Sequence, residues 1–234
     1  MDILSPFEHP LYVMLKPAGA HCNLACEYCY YLEKANLYSN KTSQVISDYL
    51  LERFTKLYIE AQTTAEVLFT WHGGETLMRP IAFYQKALEY QRKYRGPHII
   101  SNCIQTNGTL ITPEWCKFFK ENGWLVGVSI DGPQEFHDEF RKTRLGGPSF
   151  AKVMKGIRML QDYGVEWNAM AVVNDFNADY PLDVYHFFKE IGAQYIQFTP
   201  IVERIVSHAD GRHLASLSDT GNTHLDDFSV TTAQ

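Results

Sequence analysis

No run of about 18 apolar residues occurs anywhere in the 234 residues, so no membrane-spanning helix is expected. Basic residues are in deficit. Lys and Arg number 21 against 27 Asp and Glu, a net charge of −6, which speaks against a nucleic-acid or anionic-membrane footprint as the main task. The first residues, Met1-Asp2-Ile3-Leu4-Ser5-Pro6, lack the basic start and apolar stretch of a secretory signal, and a cytoplasmic location is expected. Internal repeats and low-complexity runs are missing, and no G-x-G-x-x-G follows the first strand-like run, so the dinucleotide fingerprint is absent. Cysteine is scarce, with five in all and none after Cys116. An odd count with three crowded together argues against a disulfide scaffold and for thiolates on a metal in a reducing compartment. What is present is ordinary globular material, 45% hydrophobic and 21% charged, in a length that can bury a full core.

Strand-like runs alternate with helical patterns along the chain. The runs are Leu11–Lys16, Val67–Trp71, His98–Gln105, Leu125–Ile130, Glu166–Val173 and Tyr195–Phe198, rich in β-branched and aromatic residues. The first long helical pattern recurs at Ile46, Leu50, Phe54, Leu57, Tyr58 and Ala61. Another begins at Thr112-Pro113, an N-cap followed by a proline whose missing N–H costs nothing there. Three helices are expected to stop on glycine just before a strand, at Gly123, Gly164 and Gly192. Six such βα units predict a parallel sheet with right-handed crossovers, either open and doubly wound or barrel-like. Polar and glycine-rich segments follow the first four strands: Ala18-Gly19-Ala20-His21-Cys22, His72-Gly73-Gly74-Glu75, Thr106-Asn107-Gly108 and Asp131-Gly132-Pro133. In parallel α/β folds ligands bind at that end of the strands. Residues 207–234 are rich in Ser, Thr, Asp, His and Gly, with Phe228 their only aromatic. They read as a linker or the start of a further region.

Cys22, Cys26 and Cys29 have the spacing C-x3-C-x2-C. A structural zinc site needs a fourth ligand, for which only the adjacent His21 is at hand. A [4Fe–4S] cluster held by three thiolates leaves one iron open to a substrate or cofactor, and this reading is favoured. Cys103 and Cys116 read as plain buried thiols.

With Lys16-Pro17-Ala18 running into His21-Cys22-Asn23-Leu24-Ala25-Cys26-Glu27-Tyr28-Cys29-Tyr30-Tyr31-Leu32-Glu33-Lys34, the chain resembles the radical S-adenosylmethionine superfamily and, more narrowly, the anaerobic sulfatase-maturating enzymes. The resemblance implies a partial (β/α)6 TIM-like barrel over residues 1–206, open at one edge. It implies one [4Fe–4S] cluster on Cys22, Cys26 and Cys29, and S-adenosylmethionine on its open iron. Gly73-Gly74-Glu75 is similar to the motif that receives the methionine amino group. Tyr28 looks like the aromatic near the adenine, and Ser129 and Asp131 look like ribose and methionine contacts. Arg141 is similar to the arginine that pairs with the cofactor carboxylate, and Val202 falls at a backbone contact to adenine. The implied reaction starts with a 5′-deoxyadenosyl radical that takes a hydrogen from a Cys or Ser in a sulfatase Cys/Ser-x-Pro-x-Arg motif. It ends in formylglycine and needs a reducing electron donor. Members of this family continue into a cysteine-rich region with two auxiliary clusters and the general base. Ending at Gln234, the sequence is therefore expected to be a truncated gene product or a fragment, and Asp210, Asp219, Asp226 and Asp227 are read as solvated rather than as a replacement base. Two alternatives are a radical maturase of another ribosomal peptide and a non-catalytic metal-binding domain.

Overall fold

A computed structural model describes residues 10–34, 45–202, 204–208, 211–214, 223–225 and 228–230. The first six residues and Asp210, Asp219, Asp226 and Asp227 lie outside them. Six strands form one all-parallel sheet in chain order: β1 (Met14–Leu15), β2 (Glu66–Trp71), β3 (Ile99–Thr106), β4 (Leu125–Ser129), β5 (Trp167–Val173) and β6 (Ile196–Pro200). Among the described residues β1 and β6 do not pair, so the sheet is open, as the (β/α)6 expectation requires. The intervening helices are α1 (Tyr30–Lys34) and α2 (Asp48–Glu60), α3 (Ile81–Tyr94), α4 (Pro113–Glu121), α5 (Gln134–Phe140) and α6 (Phe150–Asp162), and α7 (Pro181–Glu190).

Local chemistry sets the helix ends. The Thr112 side chain accepts from the Trp115 N–H, and Pro113 opens α4. Helices α4, α6 and α7 stop where Gly123, Gly164 and Gly192 take φ of +62°, +62° and +73°. A side chain at φ > 0 would press its Cβ on the backbone, so these are the positions where glycine is the natural stop.

Alternation along each strand divides the sheet into two faces. Val67, Phe69 and Trp71, then Val126 and Val128, then Ala169 and Ala171 point toward the helices and are buried. Trp71 stacks on Trp124, and the Tyr84 ring meets both edge-on. This aromatic packing is the core. The opposite face carries Met14, Leu68, Ile99 and Leu125, all substantially exposed.

Three expectations change. On α2 the buried residues are Leu51, Thr55, Tyr58 and Ile59, while Leu50 and Leu57 of the expected stripe are exposed. Thr55 is polar by type yet fully buried, which conceals the true stripe from an apolar count. Cys116 is fully buried as expected, but Cys103 is only half-buried on the exposed face, its thiol donating to Thr70 Oγ1 at 3.3 Å. The third concerns residues after 206, read as having no packed element. There β7 (Arg204–His208) pairs antiparallel with β8 (Gly211–Leu214) and β9 (Thr223–Leu225). The boundary expected at residue 206 falls inside β7. Phe228 packs edge-on against Phe140 with ring centroids 5.1 Å apart, and the Val230 N–H donates to the Ile201 carbonyl.

Candidate active site at the C-terminal ends of the strands

The cysteine loop leaves the end of β1 and is held from two sides. On one side the N–H groups of Gly74 and Glu75 donate to the carbonyls of Gly19 and His21, at 2.9 and 2.7 Å. A Cβ on Gly74 would lie 2.1 Å from the His21 carbonyl oxygen, a backbone atom that cannot step aside. Gly74→Ala is therefore expected to destabilise the protein by about 1–3 kcal/mol, the range for overpacking, and to lower iron uptake on anaerobic reconstitution. Gly147→Ala, whose Cβ meets only Thr143 Oγ1 at 3.4 Å, is the neutral control in urea unfolding.

On the other side, the segment after α5 zips antiparallel along the loop. Ala25 and Glu27 donate to the carbonyls of Lys142 and Phe140, and Leu24 bridges Thr143. Lys142 pairs with Glu27 at 2.6 Å, and Arg144 Nε donates to the Cys22 carbonyl at 2.8 Å. Among the described residues no three His, Cys, Asp or Glu converge so as to hold a single ion. His21, the residue next to the triad that a zinc site would have to use, is exposed. A four-iron cluster takes one thiolate per iron and does not need convergence on one point. The Cys22 sulfur also receives the Leu24 N–H at 3.4 Å and the Asn107 amide at 3.6 Å, donors of the kind that stabilise thiolate. Burial pushes the Cys22 thiol up against those two donors, and it pushes Cys26 up to about 12 despite nearby Arg141.

Asp131, at the end of β4, is fully buried and organises the neighbouring cluster of side chains. Arg141 grips it with two hydrogen bonds, Nε to Oδ2 at 2.8 Å and Nη2 to Oδ1 at 2.9 Å. The Tyr28 hydroxyl and the Val172 N–H donate to the same carboxylate. Burial alone would raise the Asp131 pKa, but the guanidinium outweighs it and holds the group ionised, below the usual carboxylate range. Arg141 also lies over the Tyr28 ring, 5.5 Å from its centroid. Three expected residues thus meet in one buried ion-pair network. Of the five N–H groups of Arg141, two donate to Asp131.

His137 supports this network from behind. Its Nδ1 accepts from the Asp131 N–H at 3.5 Å, and its Nε2 lies 2.9 Å from Ser149 Oγ, which itself donates to the Arg141 carbonyl. The network therefore assigns the neutral, Nε2-protonated tautomer. Burial, then the charge of Arg141, pushes the His137 pKa down to about 4. Below about 6.5 the unfolded chain takes up this proton and the folded chain does not. Stability should therefore be fully present above pH 6.5 and fall as pH drops through 4, by on the order of 3 kcal/mol. Urea midpoints measured from pH 7 to pH 4 should show this decline in the wild type, and a flatter profile in His137→Gln.

Glu75 is buried without exposure, and its carboxylate is taken up by the fold. It accepts from the Leu77 N–H, the Thr106 hydroxyl and the Asn107 N–H, tying the ends of β2 and β3 together. Ser129 accepts from the Gln105 amide at 2.9 Å. Val202, past the end of β6, is exposed. Sequence reasoning missed Asn107, Gln105, His137 and Ser149 as parts of the site. Only Asn107 carried a signal, lying in one of the polar segments after a strand.

Similarity to known proteins agrees with this geometry. The Radical SAM superfamily pattern matches residues 17–188. The chain belongs to the radical SAM superfamily. This radical SAM chain is 69% identical, over 98% of its length and 56% of the relative's, to a serine-type anaerobic sulfatase-maturating enzyme of Bacteroides thetaiotaomicron. It is 38% identical to a cysteine-type anaerobic sulfatase-maturating enzyme of Clostridium novyi, over 83% of this chain and 52% of that one. It spans about half the length of the curated relatives it matches. Native anSMEcpe with bound AdoMet superposes with a TM-score of 0.75 at 36% identity, over 81% of this chain and 52% of that one. Streptococcus suis SuiB, at 15% identity and a TM-score of 0.56, shares the fold alone. Among the described residues of this radical SAM chain, no helix is long and apolar enough to cross a membrane.

Proposed function

We propose that this chain carries the radical-generating half of a sulfatase-maturating reaction of the serine type. The observation that carries the reading is the clamped Cys22-Cys26-Cys29 loop beside a buried Asp131–Arg141 pair, in a chain 69% identical to a serine-type enzyme. Cys22, Cys26 and Cys29 would hold one [4Fe–4S] cluster, which with S-adenosylmethionine bound would supply the one-electron cleavage that yields a hydrogen-abstracting 5′-deoxyadenosyl radical. The N–H groups of Arg141 that do not face Asp131 would pair with the cofactor carboxylate. The backbone of Gly73 and Gly74, rather than the occupied Glu75 carboxylate, would receive the amino group. Ser129 would contact the ribose, Tyr28 the adenine edge through its ring, and Val202 the adenine through its backbone. Asp131 would act through Arg141 and Tyr28, because its own oxygens are engaged. The division is a radical SAM unit that runs through β6 (Ile196–Pro200), followed by the start of a further region that opens with β7 (Arg204–His208). The polypeptide substrate would present Ser, or Cys, in a Cys/Ser-x-Pro-x-Arg motif, and a cytoplasmic reductant would deliver the electron.

Converting serine to formylglycine removes two hydrogens, so a proton acceptor and an electron exit are needed after hydrogen abstraction. Among the described residues at this end of the sheet, both buried carboxylates, Glu75 and Asp131, are engaged by donors. The reconstituted chain, given dithionite and S-adenosylmethionine, is therefore expected to form 5′-deoxyadenosine well in excess of peptide aldehyde. Both products are read by mass spectrometry on a Ser-x-Pro-x-Arg peptide. No 5′-deoxyadenosine would sink the radical reading. Equal amounts of the two products would show that residues 1–234 already hold a working base.

A further inference from the structure

Gln105, Gly127 and Ser129 share the face of the sheet that points away from the helices. Gln105 pairs in register with Gly127, and Ser129 lies two residues further along the same strand. The Gln105 backbone is pinned by the Thr76 hydroxyl, which donates to its carbonyl at 2.7 Å. Its side chain lies flat across β4, so that a Cβ on Gly127 would fall 2.1 Å from Gln105 Oε1. Only the bare glycine lets the amide reach Ser129, where Nε2 donates to Oγ at 2.9 Å. We infer that Gln105 is a positioning residue that fixes the direction of the Ser129 hydroxyl proton. This rests on the reading of Ser129 as a contact to the cofactor ribose.

Donor and acceptor counts set that direction. A serine hydroxyl has one proton and two acceptor lone pairs, and its proton rotates to suit its neighbours. An amide N–H aimed at Oγ occupies a lone pair and repels the serine proton. The proton is left pointing elsewhere, as a donor preset for a ligand oxygen, and no reorientation is needed when that ligand arrives. Without Gln105 the hydroxyl can turn to whichever neighbour accepts, and part of its interaction with the ligand is lost.

The test is a double-mutant cycle on the anaerobically reconstituted protein, with S-adenosylmethionine as probe and its dissociation constant read by equilibrium dialysis. Thermal midpoints are followed alongside. Ser129→Ala should weaken binding about tenfold, the upper range for one neutral hydrogen bond. Gln105→Ala should weaken it severalfold in the wild-type background and leave it unchanged in the Ser129→Ala background, because there is no hydroxyl left to direct. Gln105→Glu should lose at least as much as Gln105→Ala, because a carboxylate accepts the serine proton and turns it away from the ligand. Equal losses in both backgrounds would make Gln105 a merely structural residue and overturn the inference. So would an unchanged affinity in Gln105→Ala beside a weakened Ser129→Ala. No effect of Ser129→Ala itself would instead remove Ser129 from the cofactor site, and the reading beneath the inference would fall with it.

Discussion

Replacing Cys22, Cys26 and Cys29 with alanine should reduce the iron held after anaerobic reconstitution from about four per chain, the content of one [4Fe–4S] centre, to background. Each single replacement should already remove most of it, because each thiolate serves a different iron. Cys103→Ala and Cys116→Ala should keep the full content. Cys103 lies on the exposed face of β3 with its thiol turned to Thr70, and Cys116 is sealed within the α4 packing. The absorbance of the brown chromophore and a direct metal assay check this together. Stoichiometric zinc without the chromophore would overturn the cluster reading and leave a structural metal site.

Arg141→Ala should damage both stability and cofactor binding. The substitution leaves Asp131 ionised, with no exposure and only neutral donors, from Tyr28 and Val172, around it. Breaking a buried ion pair from one side costs about 3–5 kcal/mol. The loss should appear in urea unfolding of the cluster-free protein. Asp131→Asn in combination with Arg141→Ala should recover part of it, because the orphaned charge is gone. S-adenosylmethionine binding should fall in both variants by about 1.5–3 kcal/mol, the scale of a hydrogen bond to a charged group. A stable Arg141→Ala protein with normal affinity would mean that the guanidinium is neither a fold element nor a cofactor contact.

The two sites differ in how far apart along the chain their parts lie. The C-x3-C-x2-C spacing, the strand-helix rhythm and the helix stops at Gly123, Gly164 and Gly192 are local. Each depends on residues within a few positions of one another, so the succession of strands and helices, the helix ends and the thiol triad are legible in the amino-acid sequence. The α2 stripe is misread for the complementary reason. Burial of Thr55 and exposure of Leu50 depend on how α2 seats against α3 and the sheet, and residue type alone carries no such information.

The polar site shows the same division at longer range. The family resemblance picked out Asp131, Arg141, Ser129 and Tyr28, but nothing in their spacing says that Arg141 grips Asp131. Nor does it say that Glu75 bonds to the far strand at Thr106 and Asn107, or that Gln105 crosses a glycine to reach Ser129. Those pairings span 10 to 32 residues and exist only because parallel strands bring four loops to one end of the sheet. The sequence by itself determined the thiol spacing, the alternating α/β class with a parallel sheet and the end of the strands at which the polar loops gather, since periodicity and spacing are written along the chain. Only the tertiary structure decided which carboxylates are engaged and which hydroxyl is aimed. Hydrogen-bond partnership is a property of atoms within about 3 Å of each other, and folding alone sets that distance.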